Sequence, residues 1–190
     1  GKPTFHADIL PTQSSEEPVF IFDKGSSSIA LTLGVGGKFY DLGSENANIG
    51  LSFQPLKNCD NPVERDWLVN WIQDFLITQN VEITPEKTAK ILGGLKTVAS
   101  FKNKNLRRMS ALVNAINDTD LKKQLRLLTA NGSYGRYFDS DHEDLNFSSW
   151  QSFEMEKIMN DKRIVSSILM YIFHRSEQSL DGSPTLIVLD

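Results

Sequence analysis

An α/β fold, built on a parallel or mixed sheet and interrupted by a helical block, is what the 190-residue chain predicts. Three observations carry this. Residues 19–43 read as strand, short helix, strand; residues 62–130 hold helix-period segments without an obvious strand; and strand character returns at 148–156 and in the final TLIVLD. Strands alternating with helices at both ends of a chain argue for a sheet fed by crossovers. The central block then reads as an insertion on that sheet.

PTQSSEEP, at 11–18, carries two prolines and no apolar period, and is expected to be a loop. VFIFDKG follows, an unalternating apolar run that exits through Asp23 and Gly25, the form of a buried strand. In SSSIALTL, Ser26 to Ser28 are placed to cap a short helix reaching Leu33. GVGG breaks that helix, and KFYDLG reads as a second strand, so the front of the chain predicts a compact βαβ unit. ERDWLVNWIQDFLITQ then puts Trp67, Leu68, Trp71, Ile72, Phe75 and Leu76 on one helical stripe. Thr84 and Pro85 supply an N-cap and a first-turn proline for a helix bearing Ile91, Leu92, Leu95 and Val98. Leu106, Met109, Leu112, Val113 and Ile116 mark a third helix, and Leu121, Leu125 and Leu128 a fourth, stopped near Asn131 and Gly132. SSWQSFEME is β-like around Trp150 to Phe153, a helix covers about 163–180, and TLIVLD is the last strand.

Composition narrows the function classes. Apolar residues at 39% and charged residues at 23% describe an ordinary soluble globular protein, and the net charge of −4 gives no reason to expect a broad nucleic-acid surface beyond a local patch. No apolar run approaches the ~20 residues that span a bilayer, and GKPTFHADIL lacks the apolar core of a secretory signal. Cys59 is the sole cysteine, which excludes an internal disulfide and a Cys-rich zinc site and points to a reducing, cytoplasmic setting. His6, His142 and His174 have no metal-ligand spacing. KNKNLRR, at 102–108, is basic without interleaved aromatics and reads as a solvated helix start, so no direct nucleic-acid site is identified. Trp67 and Trp71 read as core, and the serines of SSS as helix caps more readily than as an anion cradle.

The chemistry-bearing residues lie at strand ends. Asp23, Asp41, Glu154 and Asp190 each end or closely follow a candidate strand, where open α/β sheets bind ligands and where a carboxylate can hold Mg²⁺. The plainer reading is that acids end strands because the chain is leaving the core for water. GSPTLIVLD fits the apolar strand plus aspartate of a Walker B motif, with Asp190 as that aspartate. A complete G-x-x-x-x-G-K-[ST] loop is absent. The opening Gly1-Lys2-Pro3-Thr4 matches the end of one, with Pro3 standing where the Mg²⁺-binding hydroxyl is needed.

VFIFDKGSSSIALTLGVGGKFYDLG, LSFQPL with ERDWLVNWI, RRMSALVNAI, GSYGRYFD, WQSFEMEKIM and ILMYIFHRSEQSLDGSPTLIVLD follow one another from residue 19 onward. In these segments and their order the chain resembles the ATPases of conjugative transfer and type IV secretion, the TrbE/CagE class of VirB-type proteins. The resemblance implies a partial RecA-like P-loop NTPase core at 1–61 and 131–190 around an inserted all-helical subdomain at 62–130. It implies ATP and Mg²⁺ as cofactors, with Lys2 and Thr4 at the phosphates and Asp190 at nucleotide and metal; no catalytic residue is assigned. In the family, the strand continues past the aspartate into a water-positioning glutamate, and a full phosphate loop precedes the lysine. The expectation is therefore a fragment of an ATP hydrolase that drives pilus assembly or substrate translocation, inactive alone. Other type IV secretion subunits and a homo-hexamer are the implied partners, at the cytoplasmic side of the bacterial inner membrane. Pro3, the poor match of residues 5–18 and the helix-interrupting Pro11 depart from the pattern. Two other readings stand beside it: a metal-dependent nuclease or phosphatase using the four strand-end acids, and a non-catalytic interaction module docking through 62–130.

Overall fold

The computed structural model describes residues 18–46, 50–147, 150–179 and 185–189. Its strands β1 (Val19–Asp23), β2 (Lys38–Asp41), β3 (Trp150–Glu154) and β4 (Leu186–Leu189) form one sheet in the order β2-β3-β1-β4, every neighbouring pair parallel. β1 is buried along its whole length, as its unalternating sequence predicts. The helix α1 (Ile29–Gly34) joins β1 to β2, but the two strands are not neighbours, because β3 lies between them. The spacing of strands explains this. A helix about 10 Å across covers two strand spacings of about 4.8 Å, so a crossover through α1 leaves one place vacant. A strand more than a hundred residues away fills it.

The register sets the sheet's share of the core. Tyr40 and Phe22 both face Phe153, with ring centroids 5.5 and 5.1 Å from it, and Phe173 of α8 (Lys162–Ser179) lies 5.1 Å from Phe22. This aromatic row joins one continuous core with the helices. β4, for all its apolar sequence, takes the edge of the sheet among the described strands, and Ile187 and Leu189 stay exposed.

Between β2 and β3 the described regular structure is helical. α2 (Pro62–Thr78) starts at Asn61, whose side-chain carbonyl accepts from the Val63 and Glu64 amides, and it buries Leu68, Trp71, Ile72, Phe75 and Leu76. α3 (Pro85–Ala99) has the predicted start, with the Thr84 hydroxyl accepting from the Lys87 amide at 3.2 Å and Pro85 in the first turn. α4 (Met109–Ala115) is shorter than its apolar pattern predicts: Leu106 sits outside it in a 3-10 turn and is exposed. α5 (Thr119–Leu125) is capped by Asp118, and its last apolar residue, Leu128, falls in a 3-10 turn instead. Two single-turn helices, α6 (Gly135–Phe138) and α7 (Glu156–Met159), have too few residues to show a period in the sequence.

KNKNLRR is not simply solvated. Arg107 is buried, and its guanidinium donates to the Ala99, Phe101 and Lys57 carbonyls and pairs with Asp60 at 2.8 Å. It thereby satisfies the open carbonyl end of α3, which a helix leaves without internal partners. No helix among the described residues is long and apolar enough to cross a membrane.

Candidate functional site at the carboxyl edge of the sheet

Register brings three of the four strand-end acids side by side, Asp41 and Asp23 each opposite Glu154. Asp190 lies outside the described residues, as do Lys2 and Thr4. The turn after β1 folds back over the acids because Gly25 and Ser26 both adopt positive φ, 92° and 58°. Glycine does this without steric cost, whereas a serine in the left-handed region loses about 1 kcal/mol or more.

Hydrogen bonds to the acids offset that cost. The Glu154 carboxylate accepts from the Gly25 amide at 3.2 Å, the Ser26 hydroxyl at 2.9 Å, the Ser26 amide and the Glu156 amide at 2.8 Å. Asp23, fully buried, accepts from the Ser27 hydroxyl at 2.8 Å and from the Ser28 amide and hydroxyl at 2.6 and 2.7 Å. Asp41 accepts from the Gly43 amide at 3.0 Å and from Lys157 at 2.7 Å. The serines expected to cap α1 make no side-chain cap there; Ser26, Ser27 and Ser28 instead turn their hydroxyls to Glu154 and Asp23.

This arrangement shows what three of the acids do within the chain. A metal site needs carboxylate oxygens free to converge on one ion, and a phosphate cradle needs free amides. Here the two needs cancel inside the chain, with Glu154 and Asp23 taking the amides that an anion would use. No group of three or more His, Cys, Asp or Glu side chains able to hold a metal occurs among the described residues. Among the described residues, Asp23, Asp41 and Glu154 hold turns together.

Burial pushes the Asp23 carboxyl up, but the Ser28 amide and hydroxyl, the Ser27 hydroxyl and the Lys24 amide outweigh it and hold the group below the ordinary aspartate range. A depressed native value means that the ionised form stabilises the fold. That contribution is complete above the unfolded value of about 4 and is lost as pH falls through the native one. Asp23→Ala is expected to cost about 2–3 kcal/mol at neutral pH, since it leaves the buried Ser28 amide without its acceptor. Stability measured by urea unfolding from pH 6 to 2 will fall less steeply in the variant than in the wild type. Parallel curves would refute this role.

A second polar cluster joins α2 to α8 and had no signal in the sequence, since its members stand about a hundred residues apart. Glu64 accepts from His174 at 3.0 Å, and His174 stacks on Trp67 with centroids 3.7 Å apart. Trp71 is core as expected, whereas Trp67 is half-buried and serves as a platform for this histidine.

The fold and this edge define a parallel α/β domain whose strand ends are tied to its first crossover turn, with a long helical block between its second and third strands. Comparison with known proteins shows which proteins the chain is similar to. The chain is 35% identical to a probable conjugal transfer protein TrbE of Sinorhizobium fredii, over 90% of this chain and 26% of that protein. It is 33% identical to the conjugal transfer protein TrbE of Rhizobium radiobacter, over 90% of this chain and 21% of that protein. A type IV secretion system protein virB4 of Bartonella henselae is 24% identical over the whole chain. The chain is thus a homologue of TrbE conjugal transfer and VirB4 type IV secretion proteins, and it spans about a quarter of the length of these relatives. The solved VirB4 of Thermoanaerobacter pseudethanolicus shares the fold, with a TM-score of 0.64 at 13% identity, over 92% of this chain and 53% of that one. No protein-family profile matches the chain.

Proposed function

We propose that this chain forms part of the nucleotide-binding core of an ATPase that powers conjugal transfer or type IV secretion. The observation that carries the proposal is the 35% identity to a conjugal transfer protein across nearly the whole chain. The parallel sheet supports it, since ligands of such sheets bind beyond the carboxyl ends of the strands. In this reading, residues 1–61 and 131–190 belong to the core and 62–130 to a helical subdomain. Lys2 and Thr4 meet the phosphates, and Asp190 holds Mg²⁺.

The turn after β1 does not fit a phosphate, because its amides already serve Glu154 and Asp23. Its proposed part is mechanical: it fixes the carboxyl ends of β1 and β3 beside one another next to the nucleotide. ATP and Mg²⁺ would supply the phosphoryl group and the charge neutralisation for its transfer to water. The wider reading includes other secretion subunits and a homo-hexamer as partners, at the cytoplasmic face of the bacterial inner membrane.

Calorimetric titration of Mg²⁺-ATP into this chain and into a protein of the relatives' full length is the direct test. The long protein is expected to bind and turn over ATP, and Asp190→Ala in it to lower turnover on the order of 100-fold, the scale of losing a transition-state charge partner. Undiminished turnover in that variant would remove Asp190 from the site. Absence of ATP binding by the long protein would overturn the proposal as a whole.

A further inference from the structure

A cavity of about 410 Å³ opens in the helical part of the chain, on α4 and the turns after α5, well separated in sequence from the acid-lined sheet edge. Its lining holds two arginines and several other donors, on a chain of net charge −4. Arg108 and Arg126 reach it from different elements, together with Ser110, Asn114, Asn131 and Asp139. Among the described residues neither guanidinium has a hydrogen-bonded acceptor, and the Arg108 Nε is buried without any partner. Arg108 acts on the Asp141 carboxylate through charge alone, with no hydrogen bond between them.

The contrast with the other arginine of the same run is informative. Arg107, one residue earlier, spends its guanidinium on three backbone carbonyls and Asp60. Arg108 has no such structural employment. A buried guanidinium nitrogen without an acceptor costs free energy, and an oxyanion would repay it.

The cavity is also held open by a dedicated contact. Asp139 is buried, and its carboxylate accepts from the Ser110 amide at 2.8 Å and the Ala130 amide at 2.7 Å. One oxygen thus ties down the start of α4 and the other the turn beyond α5, fixing the two walls that carry Arg108 and Arg126. Because both oxygens are spent on backbone amides, the acid acts as a clamp, and two arginines against one carboxylate leave the cavity with net positive charge.

We propose that this cavity binds a phosphate-bearing small molecule, with Arg108 and Arg126 gripping the phosphate and Asn114 and Asn131 contacting the remainder. Two guanidiniums from separate elements suit a dianionic group with three terminal oxygens better than a single carboxylate. The volume, which lies within the usual range of ligand sites, leaves space beyond the phosphate itself. The site is independent of the nucleotide edge proposed above.

The test is calorimetry on the chain as it stands, with inorganic phosphate, adenosine monophosphate and acetate as probes, followed by amide NMR. Phosphate and the monophosphate are expected to bind and acetate not to. Shifts should centre on the Ser110, Ala130 and Asn131 amides. Arg126→Gln and Arg108→Gln should each weaken binding about tenfold or more, the loss of one charge-assisted contact. Lys123→Gln, which removes an exposed cation from α5, should leave it unchanged. Arg126 is exposed, so its variant is expected to fold even if Arg108→Gln does not. Selective phosphate binding that each arginine variant weakens about tenfold or more supports the site. Three results overturn it: no binding of either phosphate probe, binding untouched by the arginine variants, or equal losses in Lys123→Gln and Arg126→Gln.

Discussion

Trp71→Ala is expected to lower the unfolding free energy by about 4 kcal/mol, a third or more of the stability of a typical domain. Trp71 is 1% exposed and stands where α2, α8 and α6 meet. Its ring packs edge-on to Phe138 at 4.9 Å and lies 6.2 Å from Tyr171, and its Nε1 donates to the Ser167 carbonyl of α8 at 3.0 Å. Truncation leaves a large cavity and removes the indole's hydrogen bond to the α8 carbonyl, two costs that add. Trp71→Phe separates them, because it keeps most of the ring and loses the hydrogen bond, and should cost about 1–2 kcal/mol. Urea unfolding monitored by far-UV circular dichroism measures both. A loss below about 1 kcal/mol for Trp71→Ala would mean that α2 and α8 are not held together in this way.

Gly135→Ala is the second large effect, expected at about 3 kcal/mol, the upper end of overpacking costs. A Cβ at Gly135 would stand 1.9 Å from the Thr129 carbonyl oxygen and 2.3 Å from its carbon, and both are backbone atoms that cannot swing aside. The neighbouring Gly132 is equally constrained, since a Cβ there would stand 2.1 Å from the Arg126 carbonyl oxygen, so GSYG is a stretch where two segments of backbone lie against each other. Gly93→Ala supplies the contrast. Gly93 is exposed within α3 with nothing near its Cβ position, and the substitution should stabilise by about 0.5–1 kcal/mol through helix propensity alone. Melting curves of the two variants should move in opposite directions. A neutral Gly135→Ala would show that the Thr129 turn yields easily, and phosphate binding beside it would then be insensitive to the change as well.

Much of the fold was legible in the sequence because it rests on local chemistry. Thr84 with Pro85 starts α3 through contacts within four residues, and the apolar stripe of α2 follows from helical period alone. The unalternating VFIFD announces a strand buried on both faces. Each of these depends only on near neighbours, so the letters suffice. The resemblance in segment order likewise needed no structure, and the relatives bear it out.

What tertiary structure decided is where each group spends its hydrogen bonds. That Asp23, Asp41 and Glu154 end strands is written in the chain. Their being turn anchors is not, since Glu154 meets Gly25 and Ser26 only after β3 enters between β1 and β2, a pairing across 129 and 128 residues. Arg107 and Arg108 are adjacent and chemically identical, yet one closes the end of α3 and the other lines a cavity. Periodicity and composition assign a residue its element and its burial. Donors and acceptors brought together from distant segments assign it its role, and no short stretch of sequence contains both.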